Sequence, residues 1–214
     1  VDSKAHWDSV YSSQPPDRMS WYQRDARLSL ELVRRASAPG DAVVDVGAGS
    51  SPLVDGLLAA GYSRITVLDI AESALAESRT RLGDAAHLVS WIVADVLTHP
   101  FPAASVDVWH DRAVFHFLTA AEDRRRYVGQ VVRALRPGGI VVMATFSLGG
   151  PTRCSGLDVV RYSPASLQEE FRPWFRLLET REEEHRTPGD QQQRFLYCVF
   201  RRDPAEGDTS REEG

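Results

Sequence analysis

Val43-Val44-Asp45-Val46-Gly47-Ala48-Gly49-Ser50-Ser51-Pro52 runs from β-branched residues into two closely spaced glycines, then a serine pair and a proline. The valines suit a strand. Gly47 and Gly49 let backbone approach a ligand closely, a serine caps a helix, and proline fits a first helical turn, where its missing N–H costs nothing. Taken alone, such a strand-turn-helix unit is as readily a plain connection as a ligand cradle. A dinucleotide fingerprint would need a third glycine where Pro52 stands. There a ring and an absent N–H disfavour a pyrophosphate seated on the helix terminus, which argues against NAD.

Outward from this unit, strand-length apolar runs alternate with stretches of helical spacing, the signature of an α/β fold. The runs cover residues 42–46, 65–69, 88–95, 106–110 and 140–146 and are nearly continuous in hydrophobicity, as expected for parallel strands buried on both faces. Leu53, Val54, Leu57 and Leu58 form one helical stripe, and Tyr127, Val128, Val131, Val132 and Leu135 another that stops at Pro137-Gly138-Gly139. Residues 175–180 and 195–200 read as an antiparallel edge hairpin turning near Thr187-Pro188-Gly189-Asp190. Residues 1–41 hold Trp7, Tyr11, Trp21, Tyr22 and a helical stretch near 28–36, a cap or lid docked on a main domain at 42–203. Residues 204–214, acidic and without apolar anchors, are expected to be a disordered tail.

The chain has 214 residues, about one domain's worth, with 43% hydrophobic residues to build a core and a formal charge of −5. That charge disfavours a nucleic-acid-binding surface. Lys4 is the sole lysine, so Schiff-base and amine general-base chemistry are excluded. Cys154 and Cys198 form no close motif, and the six histidines show no ligand spacing, so neither a disulfide framework nor a metal is expected. With no apolar leader or membrane-length run, the expectation is a cytoplasmic protein without a membrane partner.

Asp45, Asp69 and Asp95 stand at or near the carboxyl ends of three successive strands, the edge where open α/β sheets bind ligands. An acid ending the second strand can accept from both ribose hydroxyls, and one ending the third from an adenine amine. Asp69 could equally cap the helix starting near Ala71. With these residues in view, the chain resembles the class I S-adenosylmethionine-dependent methyltransferases, through residues 43–49, Val67-Leu68-Asp69, Val93-Ala94-Asp95-Val96 and Leu135-Arg136-Pro137-Gly138-Gly139. The resemblance implies a Rossmann-like, mostly parallel seven-stranded sheet whose last strand is antiparallel. It also implies S-adenosylmethionine as cofactor and S-adenosylhomocysteine as product. Gly47, Ala48 and Gly49 beside Asp45 would meet the methionine part, Asp69 and Ile70 the ribose, and Asp95 and Val96 the adenine. His110 would line the same cofactor, with Trp21 and Tyr22 as a covering lid. Ser51 departs from relatives that carry a third glycine.

For the acceptor, His110-Asp111-Arg112 follows the fourth run at the ligand edge, so His110 and Asp111 are candidate acid–base residues; for His110, lining the cofactor is an equal alternative. His116, among aromatic neighbours, reads as packed. The long connection 147–164 and the residues after the sixth strand reach the same edge. They would bring Arg161, Tyr162, His185 and Arg194 around one mouth with Arg112, suited to a small anionic acceptor; His185 is a third candidate for catalysis. A protein side chain as acceptor and a non-catalytic cofactor-binding module are the rival readings. Cys154, without a second sulfur nearby, reads as buried and inert.

Overall fold

The computed structural model describes residues 3–204; the tail expected from Pro204 onward otherwise lies outside them. Nine strands form, β1 (Ala42–Val46), β2 (Arg64–Asp69), β3 (Val89–Val93), β4 (Val106–Arg112), β5 (Leu135–Phe146), β6 (Arg153–Cys154), β7 (Leu157–Asp158), β8 (Phe175–Arg186) and β9 (Gln192–Arg202). Six helices accompany them, α1 (Ser3–Ser13), α2 (Arg27–Ala36), α3 (Leu53–Ala59), α4 (Glu72–Leu82), α5 (Ala121–Ala134) and α6 (Pro164–Phe171). Seven strands make one sheet in the order β3-β2-β1-β4-β5-β9-β8. β1 to β5 pair in parallel, while β9 is antiparallel to both of its neighbours. The chain steps outward from β1 to β3 and then returns to lay β4 on the other side of β1. That reversal opens a crevice beyond the carboxyl ends of β1 and β4.

Two expectations, on the ends of α5 and β3, are corrected, while the edge hairpin forms as expected: β9 slots between β5 and β8. Its apolar run is buried on both faces, whereas β8 alternates and carries the charges that protect an edge. Leu135 ends no helix: α5 stops at Ala134, and Leu135 opens β5 opposite Val106. β3 is shorter than its apolar run and leaves Asp95 two residues past its end.

Strand alternation sends side chains to two cores. Val44, Val46, Trp109, Tyr127 and Phe171 pack on one face; Val43, Leu32, Val33, Leu57 and Val67 pack on the other. Within the first core Trp109 Nε1 donates to Tyr127 Oη at 2.9 Å, and that hydroxyl donates to Asp111 Oδ2. Tyr127→Phe would strand a buried indole N–H and weaken a buried carboxylate. It is expected to cost about 2–3 kcal/mol of stability in denaturant melts. Calorimetric affinity for S-adenosylhomocysteine should not change, since neither ring lies in the crevice.

Candidate functional site

The crevice is a cavity of about 200 Å³. Its floor comes from strand ends in the order that the sheet dictates. Asp69, Ile70, Asp95 and Val96 lie over β2 and β3, Val46 and Gly47 at the end of β1, and Arg112, Phe146 and Phe195 over β4, β5 and β9. Gly47 and Gly49 have φ of +60° and +54°, a conformation that makes glycine the fitting residue at both. Asp69 is buried and accepts from Gly49 N through Oδ2 and from Ala71 N through Oδ1, each at 2.9 Å. It thus holds the glycine turn and caps the next segment, with a further lone pair on each oxygen for a ligand hydroxyl. Asp95 Oδ1 accepts from Leu97 N at 2.8 Å.

Burial pushes the Asp69 carboxyl up to about 6 against the pull of its backbone donors, and Asp45 adds to the rise. For an acid raised by folding, its contribution to stability is full below the ordinary carboxylate range and is lost as pH rises through about 6. A ligand hydroxyl that donates to the ionised form has the opposite demand. Affinity for S-adenosylhomocysteine is therefore expected to be flat above pH 7 and to fall by about ten-fold per pH unit below about 6. A calorimetric series from pH 5 to 7.5 with constant affinity would contradict this.

Beside the glycine turn a second, smaller cavity of about 40 Å³ is lined by Asp45, Ala48, Ser50, His110, Arg112 and Tyr22, among others. His110 is hydrogen-bonded through Nδ1 to Asp45 Oδ1 at 2.7 Å and through Nε2 to Ser29 Oγ at 2.9 Å. Asp45 Oδ2 is buried without a partner. A buried carboxylate oxygen left open at the mouth of a glycine turn fits a cationic donor.

Above the floor sits an aromatic cover. α1 brings Trp7 and Tyr11 against Trp21, with ring centroids 5.9 and 5.8 Å apart, and Trp7 meets Phe117 edge-on at 5.0 Å. Tyr11 Oη lies directly over Gly49. Three polar ties hold the 20–23 segment down: His185 Nε2 donates to Ser20 O at 2.9 Å, Arg112 Nη1 to Trp21 O at 3.3 Å, and Gln23 Nε2 to Glu183 at 3.3 Å. The 147–164 connection folds over the other side as the β6–β7 hairpin and contributes Cys154 and Leu157. The Cys154 thiol is pushed up by burial and stays protonated.

Several expected acceptor residues lie elsewhere. His110 and Asp111 do not act together: adjacent strand residues face opposite ways, and Asp111 points into the core below. There it accepts from Val114 N, Phe115 N and Tyr127 Oη, fully buried and outside the cavity lining. His185 is spent on Ser20 O. Arg161 Nη1 donates to the carbonyls of Leu148 and Gly150 and braces its own loop. Tyr162 is buried against Phe115, and Arg194 is an exposed residue 3.5 Å from Glu184. Of the arginines expected at the mouth, only Arg112 lines the cavity. His116 is packed between Phe117 and Phe146, its pKa lowered to about 3 by burial. Ser29, Glu183, Tyr197 and Phe195, absent from the expected set, surround Arg112. Ser29 and Glu183 are polar residues in amphipathic elements, and Tyr197 lies within the apolar run of β9, so no local pattern announces them.

A methyltransferase domain family model matches residues 44–143, from β1 into β5, which spans the glycine turn and all three aspartates. Those residues thus carry a match to a methyltransferase domain, in the stretch where the sequence resembles the class I S-adenosylmethionine-dependent methyltransferases. Among curated relatives, a ubiquinone/menaquinone biosynthesis C-methyltransferase UbiE from Roseobacter denitrificans is 30% identical over 143 residues, 64% of this chain and 56% of that one. The chain thus spans about half the length of that relative. A structure described for the conversion of a disulfide bond into a thioacetal group during echinomycin biosynthesis has a TM-score of 0.75 at 22% identity, covering 94% of this chain and 92% of its own. A Burkholderia thailandensis 1,6-didemethyltoxoflavin-N1-methyltransferase, solved with 1,6-didemethyltoxoflavin and S-adenosylhomocysteine, has a TM-score of 0.74 at 20% identity, covering 94% and 88%. These two structures establish the fold. No helix among the described residues is long and apolar enough to cross a membrane.

Proposed function

We propose that this chain transfers the methyl group of S-adenosylmethionine to a small-molecule acceptor held under the aromatic cover. The observation that carries the reading is enclosure. One continuous cavity has acidic and glycine floor residues at its β2–β3 end and aromatic walls at its β4–β5–β9 end, roofed by α1 and the β6–β7 hairpin. A peptide substrate would need an open groove instead.

Asp69 holds ribose hydroxyls, Asp95 and Val96 meet the adenine edge, and the open oxygen of Asp45 receives the ammonium of the methionine part. When bound, S-adenosylmethionine would supply an electrophilic methyl carbon to the acceptor's lone pair, the electron pair of the broken carbon–sulfur bond staying on sulfur as a neutral thioether. Trp7, Tyr11 and Trp21 exclude water from that displacement and face the cationic sulfur with ring surfaces. An anionic acceptor finds little support, because Arg161 and Arg194 serve the surface and Arg112 is already paired. Incubation with methyl-labelled cofactor and fractionated metabolites tests the reading. Label is expected in the small-molecule fraction; label only in protein, or binding without any transfer, would overturn it.

A further inference from the structure

The β4–β5–β9 end of the cavity holds one cation, and its charge is already spent. The Arg112 guanidinium lies over the Phe195 ring, 4.2 Å from its centroid, with only 9% of its side chain exposed. Nη2 pairs with Glu183 Oε2 at 3.3 Å, Nε donates to Tyr197 Oη at 3.1 Å, and Nη1 donates to Trp21 O. Glu183 is itself mostly covered and is held by Gln23. Around this neutral pair the walls are Phe146, Phe195, Phe117 and Trp21, with Cys154 and Leu157 above.

We propose that the Arg112–Glu183 pair, set into an aromatic chamber, makes this site select an uncharged planar aromatic acceptor over its anionic counterpart, with Glu183 as the specificity-determining residue. The inference rests on the small-molecule methyltransferase reading above and names its acceptor class. A flat conjugated ring gains stacking and edge contacts on Trp21 and Phe117, the two of these aromatic walls that are not fully buried. A neutral oxygen or nitrogen on it can accept from a guanidinium N–H, since five are present and three are committed. An anion would have to share Arg112 with Glu183, bringing two carboxylates together where water is scarce, and like charges so placed are strongly disfavoured. Without Glu183 the same chamber would favour the anion.

The test uses the full chain loaded with S-adenosylhomocysteine, titrated with 2-naphthol and with 2-naphthoate at pH 7. The wild type is expected to bind 2-naphthol at least about ten-fold more tightly than 2-naphthoate. Glu183→Gln, which keeps the shape and the Gln23 contact, should raise naphthoate affinity by about ten-fold and leave naphthol affinity nearly unchanged. Glu183→Asp should preserve the wild-type preference. Equal or tighter naphthoate binding by the wild type, an unchanged ratio in Glu183→Gln, or binding of neither probe overturns the inference. If Glu183→Gln does not fold, the wild-type ratio alone decides. Failure of S-adenosylhomocysteine to load is a separate result that strikes the cofactor reading, and the same titrations of unloaded protein still report on the chamber.

Discussion

Gly47→Ala is expected to lower the unfolding free energy by about 3 kcal/mol, with a fall in Tm of roughly 6–12 °C, and to remove measurable cofactor binding. Gly47 sits at φ +60°, and a Cβ there would overlap Val114 Cγ2 and lie 3.3 Å from Val114 Cβ, so a rotamer change alone does not clear it. Val114 cannot easily retreat either. Its N–H is bound by Asp111 Oδ1 at 2.8 Å, and the next N–H is bound by Oδ2. Left-handed backbone strain and overpacking therefore add at one atom, at the boundary of both cavities. Gly49→Ala is the informative contrast: its Cβ would meet the far end of Tyr11, a flexible side chain of the cover. It should cost less stability while still weakening cofactor binding. Equal melting temperatures for wild type and Gly47→Ala would refute the close approach.

Asp69→Ala should weaken S-adenosylhomocysteine by about 2–3 kcal/mol, roughly 30- to 150-fold, read by calorimetry. On the proposed reading the carboxylate supplies both ribose acceptors, and it fixes Gly49 N and Ala71 N, so the loss combines a missing ligand contact with a loosened turn. Asp69→Asn separates the two. It keeps one carbonyl acceptor and no charge, and is expected to fall between wild type and alanine. Undiminished affinity in the alanine variant, with a lowered Tm, would mean that Asp69 serves the turn alone.

How much was legible in the sequence depended on whether a residue's role is set locally. The parallel strands were readable because burial on both faces leaves a continuous apolar run, and the glycine turn because backbone at positive φ demands particular residues. α1 was not, because Ser3–Ser13 has no side-chain pattern of a strong amphipathic helix and is held by rings from two distant segments, Trp21 and Phe117. β8 was read only to residue 180: beyond it exposed Glu182 and Glu184 flank a mostly covered Glu183, and the outer face of an edge strand needs no apolar residues. The placement of Arg161, Tyr162 and Arg194 away from the cavity was not legible for a simpler reason. Topology brings loops to an edge, but side chains such as Arg161 are then claimed by nearby carbonyls. The separation of His110 from Asp111 was implicit in strand periodicity, which also places Arg112 on the His110 face. That face carries the chain His110, Ser29, Tyr197 and Arg112, whose members are far apart in sequence.

The most direct test is a pair of calorimetric titrations of the full chain at pH 7.5, one with S-adenosylhomocysteine and one with NAD. Saturable one-site binding of the thioether, together with no heat from NAD, is the expected result. Saturable NAD binding with no response to the thioether would contradict the account at its foundation.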